Sequence, residues 1–428
     1  MSDDVYIIGV GMTKFGKHLD KGVKALTGES LKLALADCNL TLDNLQAAWF
    51  ANSGWGISEF QHSIRGQVAL TANGLGRISI INIENACAGG STALHSAWMS
   101  IKAGVYDCVL AIGTEKMYFP PPPPDPSGKS GGNRSLDGFI SGTDVEETRA
   151  FMQQLKEEAG KKREQAEREA RERGEAPPPP QKSHSVFMDF YAAGSRRHME
   201  KYGTTQRQLA VIAAKNHNNS TLNSLAQYTF PQTIEQVMND WVVAFPLTRA
   251  MCAPIGDGSA AAILCSEQFL KKHPSSRAIR IRASIVRSGH RVGASDSAIR
   301  ASRAAYETAG VGPEDIRVAE VHDATAFGEL SVTEQLGFCP IGEGGPFAES
   351  GATALDGKIP VNPSGGLISR GHPIGASGLA MAYELVTQLR GEAGKRQVNN
   401  PKIALSENGG GTVGNDTAAM AIHVFSRD

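Results

Sequence analysis

The sequence predicts an α/β protein built from two similar halves, and three observations carry that expectation. Short β-rich runs alternate with amphipathic helical stretches along most of the 428 residues, the pattern of helices packed on a partly parallel sheet. The same order of elements begins again after about residue 278, as an internal duplication would make it. The chain also holds 47 glycines in 428 residues, above the usual share of about 7%, an excess that suits tight turns and close backbone approach.

In the first half Val5–Val10, Ala48–Asn52, Ile78–Ile83 and Cys108–Gly113 read as strands, with helices over Ala25–Cys38 and Thr92–Ala103. In the second, a strand over Ile279–Val286, a helix over Ser297–Ala309 and a strand over Arg317–Val321 mirror that opening, and Lys402–Ser406 closes it as Cys108–Gly113 closes the first. Each half sets a turn of small residues before a helix: NACAGGSTALHSAWMSIKAG in one, GHPIGASGLAMAYELVTQLRG in the other.

Different material separates them. Pro120–Pro124 and Pro177–Pro180 favour extended backbone without internal hydrogen bonds. Between these runs, Lys156–Glu175 carries 14 charged residues in 20 and has no apolar stripe to bury. It reads as a solvated insertion, with a lid or docking arm as the functional alternative. We therefore expect 1–119 with 245–277 as the N-terminal half, 120–244 as a loop domain whose Pro-rich, charged insertion spans about 120–183, and 278–428 as the C-terminal half.

Composition narrows the function. With 43 Lys+Arg against 44 Asp+Glu, net −1, there is no global basic field for nucleic acid or anionic membrane. No window reaches about 18 consecutive apolar residues, and MSDDVYIIGVGM runs from acidic residues into an apolar strand without a basic stretch, so the expectation is a cytoplasmic protein. The cysteines at 38, 87, 108, 252, 265 and 339 lack the short paired spacings of zinc or iron–sulfur sites, and most read as reduced core residues.

Cys87 is the exception. In Asn85-Ala86-Cys87-Ala88-Gly89-Gly90-Ser91-Thr92 it stands on a strand-to-helix turn, where the free amides and dipole of a helix start favour thiolate over thiol. The equivalent turn of the second half carries Asn362-Pro363-Ser364-Gly365-Gly366 and then Gly371-His372-Pro373-Ile374-Gly375. If the two repeat-related helices point their starts at one place, His372 becomes the base a Cys87 nucleophile needs within about 3 Å. His322, in His322-Asp323-Ala324-Thr325-Ala326-Phe327, follows a strand, where α/β sheets present ligands, and can donate to an oxyanion or move a proton. Glu407-Asn408-Gly409-Gly410-Gly411 also reads as a loop ending a strand, with glycines that let amides approach a substrate.

NACAGGSTA, HDATAF, NPSGGLISRGHPIGASG and ENGGG resemble, in that order, the four active-site loops of the thiolase superfamily, over nearly the whole chain outside about residues 120–183. PLTRAMCAPIGDGSAAAIL is similar to that family too, with Asp257 and Gly258 as structural positions. The HDATAF loop is like that of the sterol-carrier-protein-type thiolases. The resemblance implies a five-layer α/β/α/β/α body, a homodimer formed through the first half, no metal, no permanently bound cofactor, and coenzyme A as a substrate. It implies thiolysis of a 3-oxoacyl-CoA through a Cys87 acyl-enzyme, with His372 as base and His322 beside the amides of Cys87 and Gly410 as oxyanion donors. Basic residues for the CoA phosphates are sought at Arg196, Arg197 and His198.

One departure matters. Many thiolases end in Cys-x-Gly-Gly-Gly, and counting back from Gly409-Gly410-Gly411 this chain has Glu407 in place of that second cysteine. Either Glu407 takes the proton, or His322 and His372 share the work, or the usual bond is no longer made and broken. Chains with this ending resemble subunits that work with a small zinc-ribbon/OB-fold protein, in thiolysis of bulky acyl-CoAs such as benzoylsuccinyl-CoA or in retro-aldol cleavage. Keeping Cys87, His322 and His372 favours thiolysis. The alternatives are a retro-aldolase or decarboxylating condensing enzyme, and a non-catalytic acyl-CoA or lipid-binding subunit.

Overall fold

The computed structural model describes residues 4–120, 139–172, 186–293 and 295–427. The strands are β1 (Val5–Met12), β2 (Ala47–Ala51), β3 (Ser79–Ile83), β4 (Cys108–Glu115), β5 (Val242–Ala244), β6 (Leu247–Thr248), β7 (Gly258–Ser266), β8 (Ile279–Ser288), β9 (Val318–Glu320), β10 (Ile403–Val413) and β11 (Asp416–Ser426). The helices that frame the site are α1 (Val23–Cys38), α2 (Trp55–Glu59), α3 (Arg65–Thr71), α4 (Gly89–Lys102), α5 (Val145–Glu172), α6 (Val186–Tyr202), α7 (Gln206–Ser220), α8 (Ile234–Met238), α9 (Glu267–Lys272), α10 (Ser297–Ala309), α11 (Ala326–Gln335), α12 (Gly344–Glu349), α13 (Gly366–Arg370) and α14 (Ile374–Arg390).

Nine strands hydrogen-bond in the order β3-β2-β4-β7-β1-β8-β11-β10-β9, and the duplication is written in their directions. β2 runs parallel to β4, which is antiparallel to β7, which is antiparallel to β1. In the second half β9 runs parallel to β10, β10 antiparallel to β11, and β11 antiparallel to β8. The halves meet at a short seam, Tyr6↔Arg280 and Ile7↔Ile279.

Three apolar clusters separate five layers. Along β2, Ala48 and Phe50 face α1 and α3, whereas Ala47, Trp49 and Ala51 face a central cluster, the period-two alternation of a strand buried on both sides. That central cluster takes Ala93, Leu94 and Ala97 from α4 and Leu379, Leu385 and Val386 from α14, together with Val318, Ala404 and Phe425 from the second half. The outer face of the second half packs Leu405, Met420 and Ile422 against Ala301, Ala305 and Ala309 of α10. Both central helices are thus buried between the two half-sheets, as the repeat predicts.

Over the second half, Ala192 of α6 and Leu209, Ile212 and Ala213 of α7 form a fourth cluster with Ala326, Leu330 and Ile368. Asp257 ties the loops beneath: its carboxylate accepts from the amides of Met117 (2.7 Å), Tyr118 (2.7 Å) and His18 (2.9 Å) and pairs with Lys116. A side chain at Gly258 would stand 2.3 Å from the Phe15 ring. The charged segment expected at Lys156–Glu175 belongs, as far as Glu172, to the long helix α5, whose start is fixed by Arg291 on Asp144 and Glu147. Residues 121–138 and 173–185, which hold most of both proline runs, lie outside the described residues.

Candidate active site

The starts of α4 and α14 meet because both helices are stripped of side chains where they cross. A Cβ on Gly90 would lie 2.9 Å from the Gly375 carbonyl oxygen, and one on Gly378 would lie 2.4 Å from the Ser91 amide nitrogen, closer than any side chain tolerates. This backbone-to-backbone approach carries the two preceding turns together. Cys87 Sγ stands 3.3 Å from His372 Nε2, and Cys87, His322 and His372 offer sulfur and ring nitrogens that all lie within 4.8 Å of one another. Ala86, just before the thiol, has φ +47°, a left-handed conformation that few non-glycine residues adopt.

The hydrogen bonds assign the imidazole protons. Ser377 Oγ donates to the Pro373 carbonyl (2.9 Å), so toward His372 Nδ1, 2.7 Å away, it can only accept. His372 therefore carries its proton on Nδ1 and turns a lone pair to the thiol. Ser91 Oγ donates to Asn408 Oδ1 (3.0 Å), which leaves the amide nitrogen of Asn408 to donate to His322 Nδ1 at 2.9 Å. His322 is thus protonated on Nε2, a donor.

Glu407 reaches the same place from β10. Its Oε2 accepts from the His322 amide at 2.9 Å, and burial, partly offset by that bond, raises its carboxyl to about 7. Burial pushes the Cys87 thiol up to about 12, although the amides of Cys87 and Gly411 pull the other way. Burial also lowers His322, to about 4, and holds His372 well below the usual imidazole range, with His322 and Arg370 adding to the effect. The resting pair is a neutral thiol beside a neutral imidazole. Burial thus works against the thiolate expected of a helix start: loss of water around the sulfur outweighs the pull of the two amides.

Two family models match the chain: "Thiolase, N-terminal domain" over residues 5–135 and "Thiolase C-terminal domain-like" over 284–423. The chain is 37% identical to an acetyl-CoA acetyltransferase of Methanothermobacter thermautotrophicus, over 99% of this chain and 100% of that one. The chain belongs to the thiolase superfamily. It is also 33% identical to the benzoylsuccinyl-CoA thiolase subunit BbsB of Thauera aromatica, over 95% of this chain and 94% of that one. Among solved structures, the Ltp2-ChsH2(DUF35) aldolase shares the fold with a TM-score of 0.74 at 19% identity, covering 99% of this chain and 98% of that one. This thiolase is accordingly an acyltransferase of an enzyme family whose substrates include coenzyme A.

A cavity of about 1310 Å³ opens over the cluster and is lined by Cys87, His322, His372 and Glu407. Of the cations sought for CoA, Arg197 lines it, but Arg196 does not; its guanidinium donates to the Phe245 carbonyl at 2.6 Å. His198 borders the cavity with both ring nitrogens engaged, on Thr204 (2.7 Å) and Glu334 (3.1 Å). Lys201 and Arg249, which the sequence reading did not select, join Arg197 in the wall. So does Tyr191, whose ring packs against Gly328.

The ENGGG segment is corrected too. It lies inside β10, which continues to Val413, and Gly409 and Gly410 pair with Met420 and Ala419 of β11. Gly410 is required by packing: a Cβ there would be 2.2 Å from the Asn85 carbonyl oxygen and 2.5 Å from the Ala88 nitrogen. The strand thus slides under the Cys87 turn, which is how Glu407 and Asn408 arrive at the site.

Also missed were groups that hold the loops. Arg370 is buried on Glu320 (2.8 Å) and Ser364 (3.1 Å), and Asp323 accepts from the Leu367 amide at 2.6 Å, clamping the His322 and His372 loops together. Glu115 accepts from the amides of Ser53 (3.0 Å), Gly54 (2.8 Å) and Gly375 (3.1 Å) and so joins the halves behind Cys87. A charged residue within an apolar strand end, as in AIGTEKM, is the signal that could have drawn attention to it. No helix among the described residues is long and apolar enough to cross a membrane.

Proposed function

We propose that this thiolase cleaves a 3-oxoacyl-CoA with CoA through an acyl-enzyme on Cys87, and that its substrate is a bulky aromatic acyl-CoA of the benzoylsuccinyl-CoA kind. The observation that carries the reading is the 3.3 Å approach of Cys87 Sγ to the unprotonated Nε2 of His372 at the base of the large cavity. His372 takes the thiol proton as the sulfur adds to the keto carbon. The alkoxide collapses, the Cα–Cβ bond breaks, and its electron pair passes into the enolate of the shorter acyl-CoA. His322 Nε2–H donates to the developing oxyanion, within a water-poor site where such donors act most strongly.

Glu407 then replaces the missing second cysteine. A carboxyl held at about 7 is protonated in part of the molecules at neutral pH, so it can protonate the enolate carbon and afterwards accept the proton of the incoming CoA thiol. CoA sulfur attacks the acyl-enzyme, acyl-CoA leaves, and the Cys87 sulfur recovers its proton from His372. Arg197 and Lys201 in the cavity wall, with Arg249 held there on Asp240, are the cations offered to the CoA phosphates.

The same reading makes the chain a homodimer through the first half, where β3 is an edge strand with Ile81 exposed, and a partner of a small zinc-ribbon/OB-fold protein. Intact-protein mass spectrometry after brief incubation with acetyl-, succinyl-, benzoyl- and long-chain acyl-CoAs tests it, with and without such a partner. The expected result is a gain of one acyl group that is absent from Cys87→Ala. If no thioester acylates Cys87 even with the partner, thiolysis fails and retro-aldol cleavage on this scaffold takes its place.

A further inference from the structure

We propose that a second, smaller cavity behind Cys87 holds the acyl group carried by the sulfur, and that this compartment selects a compact, uncharged acyl group such as acetyl or benzoyl. The inference rests on the acyl-enzyme reading above and adds the direction in which the substrate lies across the thiol.

Cys87 borders two spaces. With Met117, Phe187 and Gly411 it lines both the large cavity and a separate one of about 70 Å³. The two chambers differ in chemistry. The large one holds His322, Glu407 and the cations Arg197, Lys201 and Arg249. The small one is walled by Ile57, Met117, Phe187, Ile374 and Ala86, and its polar side chains are already engaged. Glu115 is held by the three backbone amides named above, and Glu84 accepts from the Ala86 amide (2.7 Å) and the Ser53 hydroxyl (3.1 Å). Lys116 is bound to Asp257 at 2.7 Å.

Attack on a keto carbon fixes what must go where. One substituent of that carbon is the α-carbon bearing the CoA thioester, which needs the oxyanion donor, the proton donor and cations for its phosphates, all found in the large chamber. The other substituent must diverge from it, and the apolar chamber is the second space that Cys87 borders. On the scale where a single water needs about 10–15 Å³, a space of this size takes on the order of five water-sized groups, enough for a phenyl ring or a methyl group and too little for an extended fatty chain. Two carboxylates in its wall, Glu84 and Glu115, disfavour an acyl group that carries its own negative charge.

The test measures acylation of Cys87 by intact mass from acetyl-, benzoyl-, succinyl- and octanoyl-CoA. In each case the sulfur–acyl bond forms as the CoA sulfur–acyl bond breaks, and the thiol proton passes by His372 to the released CoA. Acetyl and benzoyl should acylate the protein at least tenfold faster than succinyl and octanoyl. Ile57→Trp, which fills the small chamber from its rim, should lower the benzoyl-to-acetyl ratio at least tenfold; Phe187→Ala, which widens it, should raise octanoyl relative to benzoyl. Gln335→Trp, in the wall of the large chamber and not of the small one, should leave the benzoyl-to-acetyl ratio within twofold. If Gln335→Trp moves that ratio and Ile57→Trp does not, the acyl group lies in the large chamber and the proposal fails. Should Ile57→Trp not fold, an octanoyl-to-benzoyl ratio unchanged in Phe187→Ala overturns it alone. An acyl-enzyme whose preferences ignore these residues is distinct from no acyl-enzyme at all, which would overturn the parent reading as well.

Discussion

The Ser377 hydroxyl lies 2.7 Å from His372 Nδ1 and is itself committed as a donor to the Pro373 carbonyl. It therefore accepts a hydrogen bond from the Nδ1–H of the imidazole and keeps the basic nitrogen turned to Cys87. Replacing Ser377 with Ala removes that acceptor, and the ring is free to carry its proton on Nε2. Acylation of Cys87 should slow by about tenfold or more, within the range that general-base effects span, while the melting temperature changes little. An unchanged acylation rate would show that the tautomer is set some other way.

With a thiol at about 12 and a neutral imidazole beside it, Cys87 should react with iodoacetamide increasingly fast as pH rises beyond 9. A thiolate–imidazolium pair would instead give a rate already flat at neutral pH. Stopped alkylation followed by peptide mass spectrometry distinguishes the two, and a plateau with a midpoint below 7 would contradict the neutral pair.

Asn408 donates to His322 Nδ1 across 2.9 Å. Asn408→Asp replaces the donor by an acceptor, draws the proton to Nδ1 and leaves Nε2 without the hydrogen that faces the cavity. Turnover should fall by about 100-fold, the scale of losing one oxyanion donor, and Asn408→Gln should recover part of it if the amide reaches. Steady-state kinetics at saturating CoA ester decide this; a normal kcat in Asn408→Asp would remove His322 from that role.

Glu407→Gln should lower turnover by at least about tenfold if the carboxyl moves the α-carbon proton, and the limb of the pH–rate profile near 7 should vanish with it. The same shift has a consequence for stability. The carboxyl titrates near 7 in the fold against 4.5 ordinarily, so the folded chain keeps a proton that the unfolded chain has lost. Its contribution to stability is present below 4.5 and is lost as pH rises through about 7. Glu407→Gln should therefore raise the melting temperature more at pH 8 than at pH 5, by calorimetry; an equal change at both would mean the carboxyl is not held up.

Much of this site was legible in local pattern. Cys87 and His372 stand before the repeat-related helices, so duplication alone pairs them, and the structure sets them 3.3 Å apart. His322 follows a strand of the second half and joins them. What local pattern could not give were groups whose role depends on a partner distant in sequence. Arg196 and Arg197 are neighbours on one helix, and only packing decides that one meets the Phe245 carbonyl and the other the cavity. Ser377, Ser91 and Glu115 look ordinary until the elements they join are side by side.

The order of elements, their recurrence and the four motifs follow from the sequence by itself, because hydrophobic periodicity and small-residue turns are local properties of the chain. The proton positions, the neutral state of the Cys87–His372 pair and the raised Glu407 carboxyl were decided only by the tertiary structure. Each depends on how much water the folded chain removes from a group and on which donor or acceptor another segment brings within 3 Å or so, and neither is encoded at any single place along the chain.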